Sequence, residues 1–181
     1  MQPSARGGRR PLIREVLHFP DPALKLPSEF IDPHDGFAQK LIADLLDTMR
    51  AHSHCVGLAA PQIGVNLRAF VVDVSRHPKT TNSHGEVALL NPEIILAQDH
   101  RLAREGCMSV PSLTGDVTRA GRLVVRAQTP DAEFRTFETQ GFEARAFQHE
   151  IDHLYGRLFL DRVQSHRAVF LRKSEVRGRS S

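Results

Sequence analysis

The chain has 181 residues, a formal net charge of +3 at pH 7 and two cysteines. This length is that of one domain of ordinary size with a core of its own. Two cysteines are too few for the disulfide framework of a small secreted protein, and no stretch approaches the roughly 18 consecutive apolar residues of a membrane-spanning helix. We therefore expect a protein of a reducing compartment, the cytoplasm, with no membrane partner.

The two ends of the chain differ in composition from the rest. Residues 1–10 are rich in arginine and contain no acidic residue, but they lack the apolar stretch of a secretory signal. We expect a flexible arm there, and import into an organelle stays open as the alternative. A single domain is expected over 11–173, followed by a basic flexible tail over 174–181.

The first predicted element is a helix from Asp35 to His52, because apolar residues recur there at helical spacing. The next elements are expected to be a strand over 69–74, a polar loop over 78–85, short strands over 89–95 around Pro92, a strand over 123–127 and a strand over 135–139.

A second helix is predicted to end just before Gly156, which is the expected stop. Thr139 is its expected N-cap, and Glu143 lies in its first turn. Its apolar stripe consists of Ala144, Phe147, Ile151 and Leu154. A last helix is expected over 165–173. Separate helices and mostly antiparallel strands indicate an α+β fold around the central second helix.

Within this second helix, His149 and His153 flank Glu150. Residues i and i+4 share one face of a helix, so both imidazoles can hold one metal ion. Glu150 can then reach a water on that ion and act as a general base. The alternative is a solvated helix face that carries two ordinary histidines.

A catalytic metal also needs a third protein ligand and one open position. Downstream candidates are weak: Phe159 stands where a metzincin has its third histidine, Glu175 lies in the basic tail, and His166 is isolated. Cys107 is the better candidate, because a thiolate completes a His₂Cys set suited to zinc(II) or iron(II). A small buried apolar residue is the alternative reading of Cys107.

A third segment is rich in small residues and reads GLAAPQ from Gly57 to Gln62. Small residues allow a substrate backbone to approach closely, and the Gln62 amide can donate to a developing oxyanion. On composition alone, a packed turn is the favoured alternative.

The three segments occur in the order GLAAPQ, EGCMSVP and QHEIDHLYG, and together they resemble the peptide deformylases. Enzymes of this family remove the formyl group from the N-terminal methionine of nascent chains. The resemblance extends to residues 17–25, which are similar to the family's N-terminal strand and turn, and to residues 157–162, which are similar to the run after its metal helix. It implies an α+β fold and one catalytic domain over 11–173.

The resemblance also implies a role for each motif residue. The metal ligands it implies are Cys107, His149 and His153, and the general acid and base is Glu150. Gln62 and the backbone N–H of Met108 hold the formyl oxygen. The substrate strand binds at Val56 and Gly57, and a supporting salt bridge joins Asp152 and Arg119.

Two residues depart from the family pattern. Cys55 stands where the family has glycine, which puts the local backbone geometry in question, and Met108 stands where the family has leucine. A disulfide between Cys55 and Cys107 stays open from the sequence, and it would destroy the metal site.

The implied cofactor is one divalent metal ion, with iron(II) as the native ion and zinc(II), nickel(II) or cobalt(II) as alternatives. The implied partners are N-formyl-methionyl nascent peptides, and the basic tail over 174–181 is a candidate for weak contact with the ribosome. Two rival functions are a zinc endopeptidase that shares the His-Glu-x-x-His pattern and a binding protein with a structural metal.

Overall fold

The computed structural model describes residues 10–172. The expected tail over 174–181 and the expected arm, apart from Arg10, lie outside the described residues. The helices and strands of the described part are α1 (Gly36–Ala51), β1 (Gly57–Ala59), β2 (Ala69–Val72), β3 (Val87–Cys107), β4 (Val110–Gln128), β5 (Phe134–Gln140), α2 (Gly141–Leu154) and β6 (Val169–Leu171). Short 3-10 turns connect several of them.

The six strands form one sheet in which all neighbouring strands are antiparallel. Its order is β1-β2-β3-β4-β5, and β6 pairs with β4. Strands β3 and β4 make a long hairpin that closes through Met108 and Ser109, where Cys107 pairs with Val110. The predicted α+β fold with antiparallel strands is confirmed.

Helix α2 buries its apolar stripe against the sheet. The ring of Phe147 packs edge-on against Phe70 of β2, with ring centroids 5.5 Å apart. Both rings are fully buried, as is Leu154 at the end of the helix. Burial of a side chain of this size stabilises the fold by roughly 1.5–3 kcal/mol. The position of the predicted metal helix is therefore fixed by packing along its whole length.

The start of α2 differs from the expectation. Thr139 is not its N-cap, because β5 continues to pair with β4 through Gln140. Gly141, with a φ of +60°, then turns the chain directly from strand into helix, and no side chain caps the helix. The expected positions of Glu143 in the first turn and of Gly156 beyond the end are both confirmed.

Helix α1 agrees with the helix predicted from Asp35 to His52. Asp35 caps it by accepting a hydrogen bond from the N–H of Phe37 at 2.9 Å, and His52 is the C-cap residue. Leu41 and Leu45 on its inner side belong to a second apolar cluster, which also contains residues of β1 and β2.

The predicted short strands over 89–95 are instead part of one 21-residue strand, β3. Pro92 interrupts the pairing with β4 without ending it. The register shifts between Leu90 and Glu93, and Asn91 takes a φ of +49°. A bulge of this kind is where a sheet tolerates proline, since no ladder hydrogen bond is lost.

The other predicted strands are present with different bounds. The strand predicted over 69–74 ends at Val72, the one over 123–127 is the middle of β4, and the one over 135–139 is β5. The loop over 78–85 is confirmed. From Glu93 onward, β3 pairs with β4 alone among the described strands, so its outer edge carries no neighbour.

The helix predicted over 165–173 is wrong. The chain makes one 3-10 turn at His166–Ala168 and then enters β6, which pairs with residues 113–115 of β4. Val169 and Phe170 favour a strand, and the free edge of β4 gives them a partner. No helix within residues 10–172 is long and apolar enough to cross a bilayer.

The segment over 17–25 contains the expected turn, at Pro22–Lys25, but no strand. It instead connects two loops through backbone hydrogen bonds. The N–H of Leu17 donates to the carbonyl of Gln62 at 2.7 Å, and the N–H of Phe19 donates to the carbonyl of Ser109 at 2.8 Å. This segment therefore holds the GLAAPQ loop and the β3–β4 turn in a fixed relation.

Gly156→Ala is expected to destabilise the fold by about 1–3 kcal/mol. Gly156 has a φ of +65°, and a Cβ there would overlap the carbonyl of Lys25. Gly36→Ala is the matched control, because nothing lies within 4 Å of a Cβ at that position and alanine favours a helix. Urea unfolding measures both effects, and equal stabilities of the two variants would contradict this account of the Gly156 turn.

Candidate metal centre and active site

Three potential metal ligands meet where α2 lies against the end of β3. His149 and His153 share one face of α2, and Cys107 is the last residue of β3. Their ligand atoms all lie within 4.8 Å of one another, and Cys107 Sγ is 3.3 Å from His153 Nε2. The structure thus brings together the three residues that the sequence identified as ligands.

Burial and charge compete in this cluster. Burial raises the pKa of the Cys107 thiol, but the two histidines outweigh it and hold that pKa well below its usual value. Burial lowers the pKa of His149, but Cys107 and Glu105 outweigh it and raise that pKa. The thiolate form of Cys107 and the protonated form of His149 therefore favour each other in this cluster. A cation held there would favour the thiolate in the same way.

Glu105 is a functional residue that the sequence analysis missed. One of its carboxylate oxygens lies 3.0 Å from His149 Nδ1, which leaves the other ring nitrogen of His149 free for a ligand role. Burial would raise the pKa of Glu105, but His149 and Arg119 lower it to about 2. The signal in the sequence was its position two residues before Cys107, since such residues share one face of a strand.

The predicted salt bridge between Arg119 and Asp152 is present, with Nη1 and Oδ2 2.5 Å apart and both side chains buried. Arg119 also donates to both carboxylate oxygens of Glu105, at 2.8 Å and 3.0 Å. Arg162 holds Asp152 from the outer side. Arg119, on β4, therefore links two parts of the site. One is Glu105, whose carboxylate orients His149, and the other is α2, which carries both histidines.

Glu150 is buried and borders the same cleft as the ligands. Its Oε2 atom has no hydrogen-bond partner among the described residues. Burial raises the pKa of Glu150 to about 7, against the opposing effect of the neighbouring histidines. A bound cation would lower this pKa. Gly57 permits the close approach, because a Cβ there would lie 2.5 Å from Glu150 Oε1.

The side-chain amide of Gln62 is oriented by hydrogen bonds. Its Oε1 accepts from the N–H of Ala59 at 2.9 Å. Its Nε2 lies 3.1 Å from Ser109 Oγ and 3.5 Å from Cys107 Sγ. The donor end of the amide therefore faces the ligand cluster, as the predicted contact with an oxyanion requires.

A cleft of about 610 Å³ surrounds these groups, which is the size of a site for a small ligand or a short peptide. The predicted substrate-binding residues Val56 and Gly57 line it from the segment that leads into β1, and Met108 lines it from the β3–β4 turn. Phe142 and Ala146 of α2 contribute an apolar part of the lining.

Cys55 also lines the cleft, and its backbone does not have a positive φ. The backbone at this position therefore does not require glycine. Burial, and then the charge of Glu150, raise the pKa of its thiol to about 12. The thiol donates to the carbonyl of Gly57 at 3.0 Å. Cys55 and Cys107 are both free, so no disulfide joins them.

The donor set of this site fits a divalent transition metal. One thiolate and two imidazoles suit zinc and iron, and three protein ligands leave a position open for water or substrate. A structural site would be closed by four protein ligands. Glu150 Oε2, to which no described residue donates a hydrogen bond, is a proton acceptor beside the ligands that hydrolysis requires and that a structural site does not use.

The profile of the polypeptide deformylase family matches residues 13–169. The chain belongs to this family. The peptide deformylase of Acidobacterium capsulatum is 38% identical over 154 residues, which cover 85% of this chain and 88% of that protein. Among solved structures, the peptide deformylase of Thermotoga maritima has a TM-score of 0.76 at 36% identity, with 84% of this chain and 99% of that chain covered. A peptide deformylase from Acinetobacter baumannii, solved with Met-Ala-Ser bound, has a TM-score of 0.77 at 32% identity, with 83% and 99% covered.

Family membership establishes the activity. The protein is a metal-dependent hydrolase that removes the formyl group from the N-terminal formyl-methionine of newly made polypeptides. Cys107, His149 and His153 form its potential metal site. Of the weaker ligand candidates, His166 lies outside this group and Glu175 lies outside the described residues. Phe159, at the position of a metzincin's third histidine, is packed in the core.

Arg119→Met is expected to destabilise the fold by about 3–5 kcal/mol, because it leaves Glu105 and Asp152 as buried carboxylates without their shared cation. Arg135→Met is the matched control, since Arg135 pairs with Glu133 at the surface, where both side chains are more than half exposed. Chemical denaturation should show a large loss for the first variant and little change for the second. A small effect of Arg119→Met would show that the buried network is dispensable.

Proposed function

We propose that this deformylase binds one divalent metal ion through Cys107, His149 and His153 and uses Glu150 to move the proton during hydrolysis. One observation carries the proposal: a buried carboxylate oxygen that has no hydrogen-bond partner in the described part of the chain lies beside three converging ligand atoms in a cleft of peptide size. Iron(II) is proposed as the native ion, and zinc(II), nickel(II) and cobalt(II) are ions that the same donors accept.

The formyl-methionyl peptide is proposed to bind as an extended strand along Val56 and Gly57. Strand β1, which begins at Gly57, is the edge of the sheet, so backbone groups on its outer side can pair with a peptide. The relative that was solved with Met-Ala-Ser bound supports a short peptide as the occupant. The methionine side chain would pack on the apolar lining from Phe142 and Ala146.

In the proposed reaction, the oxygen of water bonds to the formyl carbon, and the C–N bond then breaks to give formate and a free methionyl amine. Glu150 accepts the proton from the attacking water and delivers it to the departing nitrogen. Gln62 Nε2 and the N–H of Met108 donate to the oxygen that becomes negative, an effect of ~3 kcal/mol per donor. A divalent ion held by the three ligands supplies the Lewis acidity that makes water nucleophilic near neutral pH.

Arg119 and Asp152 are proposed to act as positioning residues. Neither is a ligand, but Arg119 fixes Glu105 against His149, and Asp152 anchors α2 to the same guanidinium. Because a ring nitrogen that is held by a carboxylate fixes the orientation of the imidazole, this network determines where the ligand nitrogen of His149 points.

The reaction is placed in the cytoplasm, and the bacterial origin of the matched relatives supports this over import into an organelle. Weak contact between the ribosome and the basic residues 174–181 belongs to the same proposal. It rests on composition alone, since positive charge attracts the phosphate backbone of RNA.

Glu150→Gln is expected to retain the metal and to lose turnover by ~10²-fold or more, since glutamine cannot carry the proton. The measurement is formate release from a formyl-Met peptide, together with metal content. Glu138→Gln is the control, because it makes the same change at an exposed position of β5. Near-normal turnover in a metal-loaded Glu150→Gln protein would exclude the proposed role. A blocked internal peptide should not be cleaved, and its cleavage would instead indicate an endopeptidase.

The two cysteines are expected to respond differently to substitution. Cys107→Ala should lose most of the metal and abolish deformylation, because it removes the thiolate ligand. Cys55→Gly should keep metal and activity, because its thiol has a raised pKa and, within residues 10–172, donates its hydrogen bond to the Gly57 carbonyl and not to a metal ligand. Metal content and formate release of both proteins, prepared without oxygen, test this. Loss of metal from Cys55→Gly with retention in Cys107→Ala would overturn the proposed ligand set.

A further inference from the structure

Arg172 reaches into the active-site cleft from β6. The strand pairs with residues 113–115 of β4, and the N–H of Arg172 donates to the carbonyl of Ser112 at 2.9 Å. Its guanidinium lies directly over Gly106, the residue before Cys107, because a Cβ on Gly106 would overlap it. Arg172 follows the segment matched by the family profile, which ends at residue 169, so the profile assigns it no role.

The guanidinium of Arg172 has no ion-pair partner among the described residues. Its Nε is shielded from solvent and has no hydrogen-bond partner within residues 10–172. The nearest acidic neighbour along β3, Glu105, is already bound by Arg119 and His149. Arg104, which lines the same cleft, provides a contrast, because its charge is paired with Asp116. A partly buried cation without a partner is unfavourable unless a ligand supplies the missing acceptor.

Two further cations give the cleft a positive lining. Arg145 lies one helical turn before His149, and its guanidinium stacks over Phe142. Its Nε is also shielded, and no described residue accepts a hydrogen bond from it. Lys79 lies in the exposed loop at the cleft, and no ion pair of its side chain occurs within residues 10–172. The two carboxylates of the cleft, Glu105 and Glu150, are buried and face the metal ligands. An acidic group that enters the cleft therefore meets Arg172, Arg145 and Lys79.

We propose that Arg172 is a specificity-determining residue that binds an acidic side chain at one of the first two positions after the formyl-methionine. The inference rests on the proposed placement of the reaction in this cleft. A peptide whose formyl group lies at Cys107 runs past Gly106 within one or two residues, because an extended chain advances about 3.3 Å per residue. A carboxylate at that distance can form the two parallel hydrogen bonds that a guanidinium favours.

The test compares four formyl-Met peptides that differ at one position, with aspartate or lysine at residue two or at residue three. With the metal-loaded full-length protein, kcat/KM measured by formate release should favour the aspartate peptide by about five-fold at one of the two positions, mostly through KM, since one partly solvated charge pair is involved. The preference should decrease as salt is added.

Arg172→Gln should reduce the aspartate-to-lysine ratio to about one, and Arg172→Glu should reverse it. Arg167→Gln is the matched control, because it removes an exposed arginine from the same segment outside the cleft and should keep the wild-type ratio. The aspartate-to-lysine ratio of kcat/KM does not change when both values fall together, so a general loss of activity leaves it unaltered. A wrong assignment of the reaction site would be revealed separately, by normal turnover in Glu150→Gln. No aspartate preference in the wild type, or the same preference in Arg172→Gln, would overturn the inference.

Discussion

The guanidinium of Arg119 connects the three elements that carry the active site. It lies between Glu105 at the end of β3 and Asp152 on α2, and all three side chains are buried. Each carboxylate would be strongly unfavourable there without a cation, and the cation would be equally unfavourable without them. Since Glu105 also holds His149, a displacement of this guanidinium would move the ligand cluster. The geometry of the metal centre therefore depends on a buried ion pair network as well as on the ligands themselves.

Two thiols in one cleft have opposite chemical character because their neighbours differ. Cys107 lies against two histidines, and these neighbours lower the pKa of its thiol, which favours the thiolate. Cys55 lies near Glu150, and the negative charge of that carboxylate adds to the effect of burial and keeps the thiol protonated. A site that must bind one metal ion in one place benefits from this difference, because only one of the two sulfurs competes for it.

The parts of the site that were predicted from the sequence depend on local spacing. His149 and His153 lie on one face because a helix has 3.6 residues per turn, and the apolar stripe of α2 follows the same rule. The partners of those residues depend on pairing between distant segments. Glu105 reaches His149 because β3 lies beside α2, and Arg172 reaches the cleft because β6 pairs with β4.

Pairing between segments that are distant in the sequence also explains the predictions that were wrong. Thr139 has the side chain of a good N-cap, but pairing of β5 with β4 takes precedence over local propensity. The segment over 165–173 has no strong pattern of its own, and an available sheet edge determines its conformation. Pro92 suggested the end of a strand, whereas the structure accommodates it in a bulge within a longer one.

The outer edge of β3 bears on whether copies of this protein aggregate through their edge strands. From Glu93 to Gly106, its backbone donors and acceptors face no strand among the described residues, and such an edge is a template for aggregation through β-sheet extension. Shifts of register near its start break the straight row of donors and acceptors. Charged side chains such as Asp99 and Arg101 lie along it, and charged residues on an edge strand oppose pairing with a second edge. Irregular pairing and charged side chains are therefore the features of the described edge that oppose β-sheet extension.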